Sequence, residues 1–303
     1  MTLRANPLLR VAASLGAVGV GCVTYGALIE RRWYRLRRVQ LPGVLRRPGR
    51  LTILHVSDVH LIPGQDHRVR FLASLADLDH DLVVATGDLL GAPGAEDLTA
   101  AALAPLTSRD RPGLVVLGSS DLFGPRPKTP LVYFTRPTQR VHGKPLDTPR
   151  FVDELAASGY RTLRGEAVTV ATAAGVVAAG GMDDPHLRTT VLPPPSVLAP
   201  PAGQGGEVLL HLGLVHAPYT AALDVLVAAG HDLLLSGHTH GGQVRLPGLG
   251  ALVGNCDLPL SQIRGASRYR GRWLHVSPGL GHNRYAPFRF ACRPEATLLE
   301  LTG

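Results

Sequence analysis

Four apolar runs in this chain each stop on Asp or His. They are LTILHVSDVH (51–60), DLVVATGD (81–88), EVLLHLGLVH (207–216) and HDLLLSGHTH (231–240). Short apolar runs rich in Val, Ile and Leu, bounded by Gly or polar residues, read as buried strands. Between the first two, Val69 to Leu78 carries apolar residues at helical spacing, and an Ala-rich stretch over 95–106 leads to a further run, GLVVLGSSD (113–121). Residues 51–121 therefore read strand, helix, strand, helix, strand, the pattern of right-handed βαβ units. In such units the C-terminal ends of the strands present their loops to ligands.

The second half repeats the pattern. FVDELAASGY (151–160) and TAALDVLVAAG (220–230) read as helices, residues 166–184 as two short strands around a turn, and WLHVSPGL (273–280) and ATLLEL (296–301) as late strands. Residues 124–147, with several Pro and Lys/Arg, read as an excursion loop, and the Pro- and Gly-rich 185–206 as irregular. The expected class is α/β, with two packed mixed sheets flanked by helices, over a body of residues 51–303.

Residues 1–50 form a different segment. Val11 to Ile29 is a 19-residue uncharged run, preceded by Arg4 and Arg10 and followed by Arg31, Arg32, Arg35, Arg37 and Arg38 around Trp33 and Tyr34. That length just spans a hydrocarbon core, and aromatic and basic residues suit its interface. A membrane anchor is the favoured reading. A cleaved signal peptide and an apolar helix packed on the body are the alternatives. LPGVLRRPGR (41–50) reads as a linker. The Arg excess after the run places the body in the cytoplasm by the positive-inside rule, with export as the alternative.

The whole chain carries a net charge of +8, but residues 1–50 hold ten Arg against Glu30 alone, which leaves the body close to neutral. A basic stripe for nucleic acid is therefore not expected, whereas the basic segment suits a membrane surface. The three Cys (Cys22, Cys256, Cys292) lie far apart and form neither a CxxC pair nor a disulfide framework.

Chemistry concentrates at the strand ends: Asp58-Val59-His60, Gly87-Asp88, His216-Ala217-Pro218 and Gly237-His238-Thr239-His240. A single strand-end Asp is commonly a turn residue, and a single His commonly structural. Four such groups, each behind a buried strand, point to divalent first-row metals, for which imidazole and carboxylate are suited ligands. A carboxylate such as Asp88 between two sites can join two cations, and two cations about 3.5–4 Å apart can hold a hydroxide for in-line attack on phosphorus. His67, His80, His186, His231 and His275 lack this setting, and His55 and His211 alternate into a sheet face.

This order resembles the calcineurin-like metallophosphoesterase superfamily. GHTHGGQVRLP (237–247), with CRPEATLLEL (292–301), is similar to its bacterial membrane-associated branch. The resemblance implies a four-layer α/β/β/α sandwich and two divalent metal ions (Mn, Fe or Zn). It assigns Asp58, His60 and His240 to the first metal, Asp88 as the bridge, and His216 and His238 to the second.

The chain departs from the family at Gly118-Ser119-Ser120-Asp121, where the usual pattern has Asn-His at the Ser-Ser positions. By this correspondence Ser119 takes the metal-ligating place, with Ser120 and Asp121 in the place of the His and acid that assist catalysis. In relatives reading G-S-N-D the ligand place falls at 120. Loss of general-acid help costs about 10²–10⁴-fold, and His142 or His282 are the loop imidazoles that would substitute. The expected function is hydrolysis of phosphodiesters or phosphomonoesters, for which Gly241 and Gly242 would let backbone approach the phosphate and Arg245 would meet the anion. A lipid-linked ester would suit an anchored enzyme. The alternative is a catalytically impaired metal-binding module that holds a phosphorylated ligand.

Overall fold

The computed structural model describes residues 7–126, 143–187, 190–201, 208–282, 284–285 and 287–303. His142 and most of the 124–147 excursion lie outside the described residues. An apolar helix, α1 (Pro7–Thr24), comes first, and the chain then enters a sheet as β1 (Arg35–Leu41) and β2 (Arg50–Val56). Helices α2 (Asp66–Ser74) and α3 (Glu96–Leu103) lead to β3 (Leu82–Ala85) and β4 (Gly113–Val115) respectively. The single turn α4 (Ser119–Leu122) and the helix α5 (Thr148–Ala157) precede β5 (Tyr160–Thr162).

A second sheet begins with the hairpin β6 (Glu166–Thr172) and β7 (Gly175–Gly181). After a short helix α6 (Pro195–Leu198) come β8 (Val208–Leu214), α7 (Thr220–Ala228) and β9 (Leu233–Ser236). A two-strand ribbon, β10 (Arg245–Leu246) and β11 (Gly250–Ala251), stands apart before β12 (Gly265–Tyr269) and β13 (Arg272–Val276). The last strand, β14 (Glu295–Thr302), returns to the first sheet. The sheet orders are β1-β14-β2-β3-β4-β5 and β12-β13-β9-β8-β7-β6.

Side-chain alternation along the strands builds the layers. On β2, Leu51 and Ile53 face the second sheet, where they meet Leu212, Leu214, Leu233 and Leu235. Leu54 and Val56 face outward into a core closed by Leu72, Leu103, Phe151 and Leu155 of the flanking helices. A third core lies outside the second sheet, around Leu223 and Leu226 of α7. The result is helices, sheet, sheet and helices, as expected from the sequence. Strands β2 to β5 are parallel, as are β7, β8, β9 and β13, so their C-terminal ends gather at one edge of the sandwich.

The first sheet also reaches into the N-terminal segment. β1 pairs in parallel with β14, in register from Arg35↔Glu295 to Leu41↔Leu301, so strand structure begins before the 41–50 stretch rather than after it. Three arginines hide the strand pattern in RLRRVQL, but Glu295 and Glu300 on β14 receive Arg35 (2.7 Å) and Arg38 (3.2 Å). The stretch Ala13–Arg32 is long and apolar enough to cross a membrane and is largely exposed, and only its C-terminal end, at Gly26 and Glu30, is buried against the body.

Candidate metal centre

The residues at the gathered strand ends converge. The ligand atoms of Asp58, His60 and His240 lie within 4.8 Å of one another, as do those of Asp58, Asp88 and His216. Asp58 belongs to both groups, and Asp88 touches both through different oxygens. Its Oδ2 is 3.5 Å from His60 Nε2, and its Oδ1 is 3.5 Å from His216 Nε2. His238 Nδ1 joins the second group at 3.3 Å from His216 Nε2, and His240 Nε2 lies 3.8 Å from Asp58 Oδ1.

Backbone geometry at these positions is unusual. Asp58, His60, Asp88, His238 and His240 all have positive φ, between 43° and 68°. A non-glycine residue adopts this region at a cost, and such strain concentrates at functional sites. The strand must turn sharply at its end to aim each side chain inward, and the turns leave no space. A Cβ on Gly118 would collide with the Asp88 carboxylate, and one on Gly237 with Ser57 Oγ.

Outer contacts orient these candidate ligands. His216 Nδ1–H donates to Thr86 O (2.6 Å), which turns Nε2 into the site. Ser57 Oγ–H donates to Asp58 Oδ2 (2.6 Å), and His238 N–H donates to the same carboxylate (3.0 Å). Ser120 N–H donates to Asp88 Oδ1 (2.7 Å). Asp121 turns away from the ligands: Oδ1 accepts from the N–H groups of Leu89 (2.7 Å) and Leu90 (2.9 Å), and Oδ2 from Gly118 N–H (2.9 Å). It braces the loop that carries Asp88. Ser119 N–H donates to Asp184 Oδ2 (2.9 Å). His282 is buried directly after Gly281, whose N–H donates to Asp58 O (2.6 Å).

The electrostatics fit a cation site. Burial pushes the Asp58 carboxyl up to about 6 and the His60 imidazole down to about 4. Burial, with His60 and Arg289 beside it, holds His240 well below its ordinary value. Burial opposes charge on Asp88 and His216 too, yet each favours the other's ion. Asp88 is held well below the carboxylate range by His216 and His60, and His216 well above the imidazole range by Asp88, Asp184 and Asp58. Neutral His60 Nε2 is buried with no hydrogen-bond partner among the described residues. An orphaned nitrogen among carboxylates, with Asp58, Asp88 and His216 held by outer partners, is a donor set that divalent first-row ions can take.

Three neighbours escaped the sequence reading. Asp184 is fully buried, and besides Ser119 it accepts from His186 N–H (2.9 Å). The His186 ring packs 4.2 Å from that of His238, and its Nδ1 is 3.0 Å from Tyr219 Oη. The signal was present: GGMDDPH follows β7, one more strand end carrying Asp and His. Asn255 also reaches the centre, with its backbone O 3.2 Å from His238 Nε2. An N–H there donating to the carbonyl leaves Nδ1, the nitrogen that faces His216, with a free lone pair.

Comparison with known proteins agrees with this geometry. A model of the calcineurin-like phosphoesterase family matches residues 51–242. Phosphodiesterase YaeI of Escherichia coli (strain K12) is 38% identical over 105 residues, which are 34% of this chain and 35% of that protein. The uncharacterized metallophosphoesterase YkoQ of Bacillus subtilis (strain 168) is 32% identical over 156 residues, 51% of this chain and 54% of that protein. The matched part thus spans about a third to a half of the length of these curated relatives. Among solved structures, the phosphopantetheinyl hydrolase PptH of Mycobacterium tuberculosis aligns with a TM-score of 0.41 at 13% identity, covering 80% of this chain and 92% of that one. The family match takes in all six strand-end Asp and His residues, and the chain belongs to the calcineurin-like phosphoesterase family.

Proposed function

We propose that the protein is a dinuclear-metal phosphoesterase that hydrolyses phosphodiester or phosphomonoester bonds beside a membrane. The observation that carries this reading is Asp88, whose two oxygens face two different histidine groups. Asp58, His60 and His240 would hold one cation, His216 and His238 the other, and Asp88 both. When bound, such a pair supplies positive charge for the phosphoryl oxygens and acidity for a water nucleophile. The chain's own part is to hold these ligands rigidly. Ser120 N–H fixes the Asp88 carboxylate, Asp121 fixes the loop behind it, and Ser57 and His238 N–H fix Asp58. The exposed apolar helix α1 supports attachment to a bilayer, and a lipid-linked ester would suit that attachment.

A second reading rests on Ser119-Ser120, where the usual amide and imidazole are absent. In that reading the centre binds metal and a phosphorylated ligand without turning it over. One experiment separates the two: turnover of a nitrophenyl phosphodiester by the full chain with added Mn²⁺, against the Asp88→Asn variant. Turnover lost in the variant supports the hydrolase. A folded, metal-loaded parent without turnover favours the binding module.

A further inference from the structure

The ribbon after the His238–His240 turn carries leucines that its own geometry does not require. Its turn closes with Leu249 N–H donating to Leu246 O (3.1 Å), and Gly248 and Gly250 supply positive φ values of 81° and 91°. Leu249 at the tip is nonetheless 82% exposed, with Leu246 and Leu252 at 40% and 49%. Isolated exposed apolar residues are ordinary, but three on one short ribbon make a patch of the kind that marks a contact surface.

The ribbon is fastened on both sides. Toward the centre, Arg245 Nη1–H donates to Gly241 O (2.9 Å), and a Cβ on Gly242 would lie 2.5 Å from Ala251 Cβ. Away from it, Arg245 N–H donates to Phe290 O (2.9 Å) and Phe290 N–H to Gln243 O (3.0 Å). The same segment grips the base of α1. Phe290 meets Tyr25 edge-on at 6.3 Å, and Arg289 N–H donates to Gly26 O (3.3 Å). Ala291 N–H (2.8 Å) and Cys292 N–H (2.6 Å) donate to the buried Glu30 carboxylate. Cys292 Sγ–H in turn reaches His240 O (3.3 Å). Residues 288–292 are thus one strap between the apolar helix, the ribbon and a candidate metal ligand.

The base of α1 has the chemistry of a bilayer's polar layer. Arg31 and Arg32 precede Trp33, and the Arg293 guanidinium sits 4.1 Å over the Trp33 ring. Aromatic and cationic side chains together suit an interface bearing anionic headgroups.

We infer that the 244–252 ribbon is a second membrane contact, its leucines entering the interfacial layer of an anionic bilayer beside α1. This rests on the reading of α1 as a bilayer anchor. The strap that fastens the ribbon to the base of the exposed apolar helix, and the cationic belt at that base, select a lipid surface as the occupant. The ribbon and the helix together hold the His240 rim of the centre at headgroup level.

The test uses tryptophan emission from the full chain in phosphatidylglycerol–phosphatidylcholine vesicles with and without brominated acyl chains. In the parent, Trp33 reports the base of α1, while Trp273 at the start of β13 reports background. The Leu249→Trp variant adds a reporter at the ribbon tip, and Leu252→Trp adds a second one. The expected result is that bromine quenches the added emission to the same degree as that of Trp33. Quenching of Trp33 without quenching at 249 or 252 leaves the anchor standing and overturns the ribbon contact. Quenching of neither overturns the anchor reading and this inference with it. A phosphatidylcholine vesicle that quenches the ribbon as strongly as the anionic one overturns the anionic preference.

Discussion

Nδ1 of His55 and Nδ1 of His275 meet at 2.9 Å between the two sheets, one imidazole from each. The contact is the far end of a hydrogen-bond chain whose direction is fixed. Ser57 Oγ–H donates to Asp58 and Thr86 Oγ1–H to Ser57 Oγ (2.8 Å), so Thr86 has only lone pairs left for His55 Nε2–H (2.9 Å). His55 Nδ1 is then an acceptor, and His275 Nδ1–H donates to it. Every proton in the chain points toward the Asp58 carboxylate. His55→Phe takes one donor from Thr86, which keeps its bond to Ser57, and leaves the His275 Nδ1–H without its acceptor, at a cost of about 1–3 kcal/mol for a buried group left unpaired. Loss of an outer partner also lowers metal affinity by about 10–100-fold. Calorimetric titration with Mn²⁺ measures this, and unchanged affinity would separate the chain from the centre.

Stability declines on the acid side for a reason unrelated to carboxylates. Burial holds His275 and His231 neutral down to about 4. The unfolded chain takes up protons on these imidazoles below about 6.5, while the folded chain does not. The contribution is therefore complete above that pH. It falls between about 6.5 and 4, by about 1.4 kcal/mol per pH unit for each imidazole. Urea unfolding at pH 7 and pH 5 reads the slope, and His231→Gln removes its share. A flat profile would contradict the neutral assignment.

Metal binding near neutral pH releases a proton. Without a cation, Asp88, Asp184 and Asp58 keep the His216 imidazole charged well above its ordinary range. A ligating imidazole is neutral, so loading displaces about one proton from this residue. Binding enthalpies in buffers of different ionisation enthalpy give the number released. A buffer-independent enthalpy would mean that His216 is already neutral or does not bind.

Removing the N-terminal segment has two distinct outcomes. A chain beginning at Glu30 keeps β1 and the carboxylate that receives Cys292 N–H. A chain beginning at Gly43 lacks both and bares the hydrogen-bonding edge of β14, a template for association. It also loses Leu41, which is 1% exposed; full burial of such a side chain contributes about 1.5–3 kcal/mol. Lower melting temperature and larger particles on size exclusion are expected for the shorter chain only. Equal behaviour would show that β1 is dispensable.

The layers and the convergence of the six strand-end Asp and His residues were legible because both follow from one periodicity. A buried parallel strand must be apolar throughout, so a polar residue at its end stands out, as at Asp58, Asp88, His216 and His238. β1 was hidden because three of its seven residues are arginines, and the partners of Arg35 and Arg38, Glu295 and Glu300, lie 260 and 262 residues away. Asn255 had no local signal at all, since it reaches His238 from an irregular loop. Ser119 and Ser120 were legible as a departure, but the carboxylate that holds Ser119, Asp184, belongs to the other sheet's strand ends.

β1 and β14 are neighbours in space and the first and last strands in sequence. During synthesis the first sheet therefore stays incomplete until β14 leaves the ribosome, because β14 inserts between β1 and β2. Pairing over such a separation is slow and leaves edges open meanwhile. A stalled or prematurely ended chain presents β1 and β2 with a gap between them, a vulnerable intermediate for proteolysis. Residues 289–292, which fasten the end of the N-terminal helix beside His240, also come late in the chain, so translation order sets the order in which the helix and the strand-end cluster become one body.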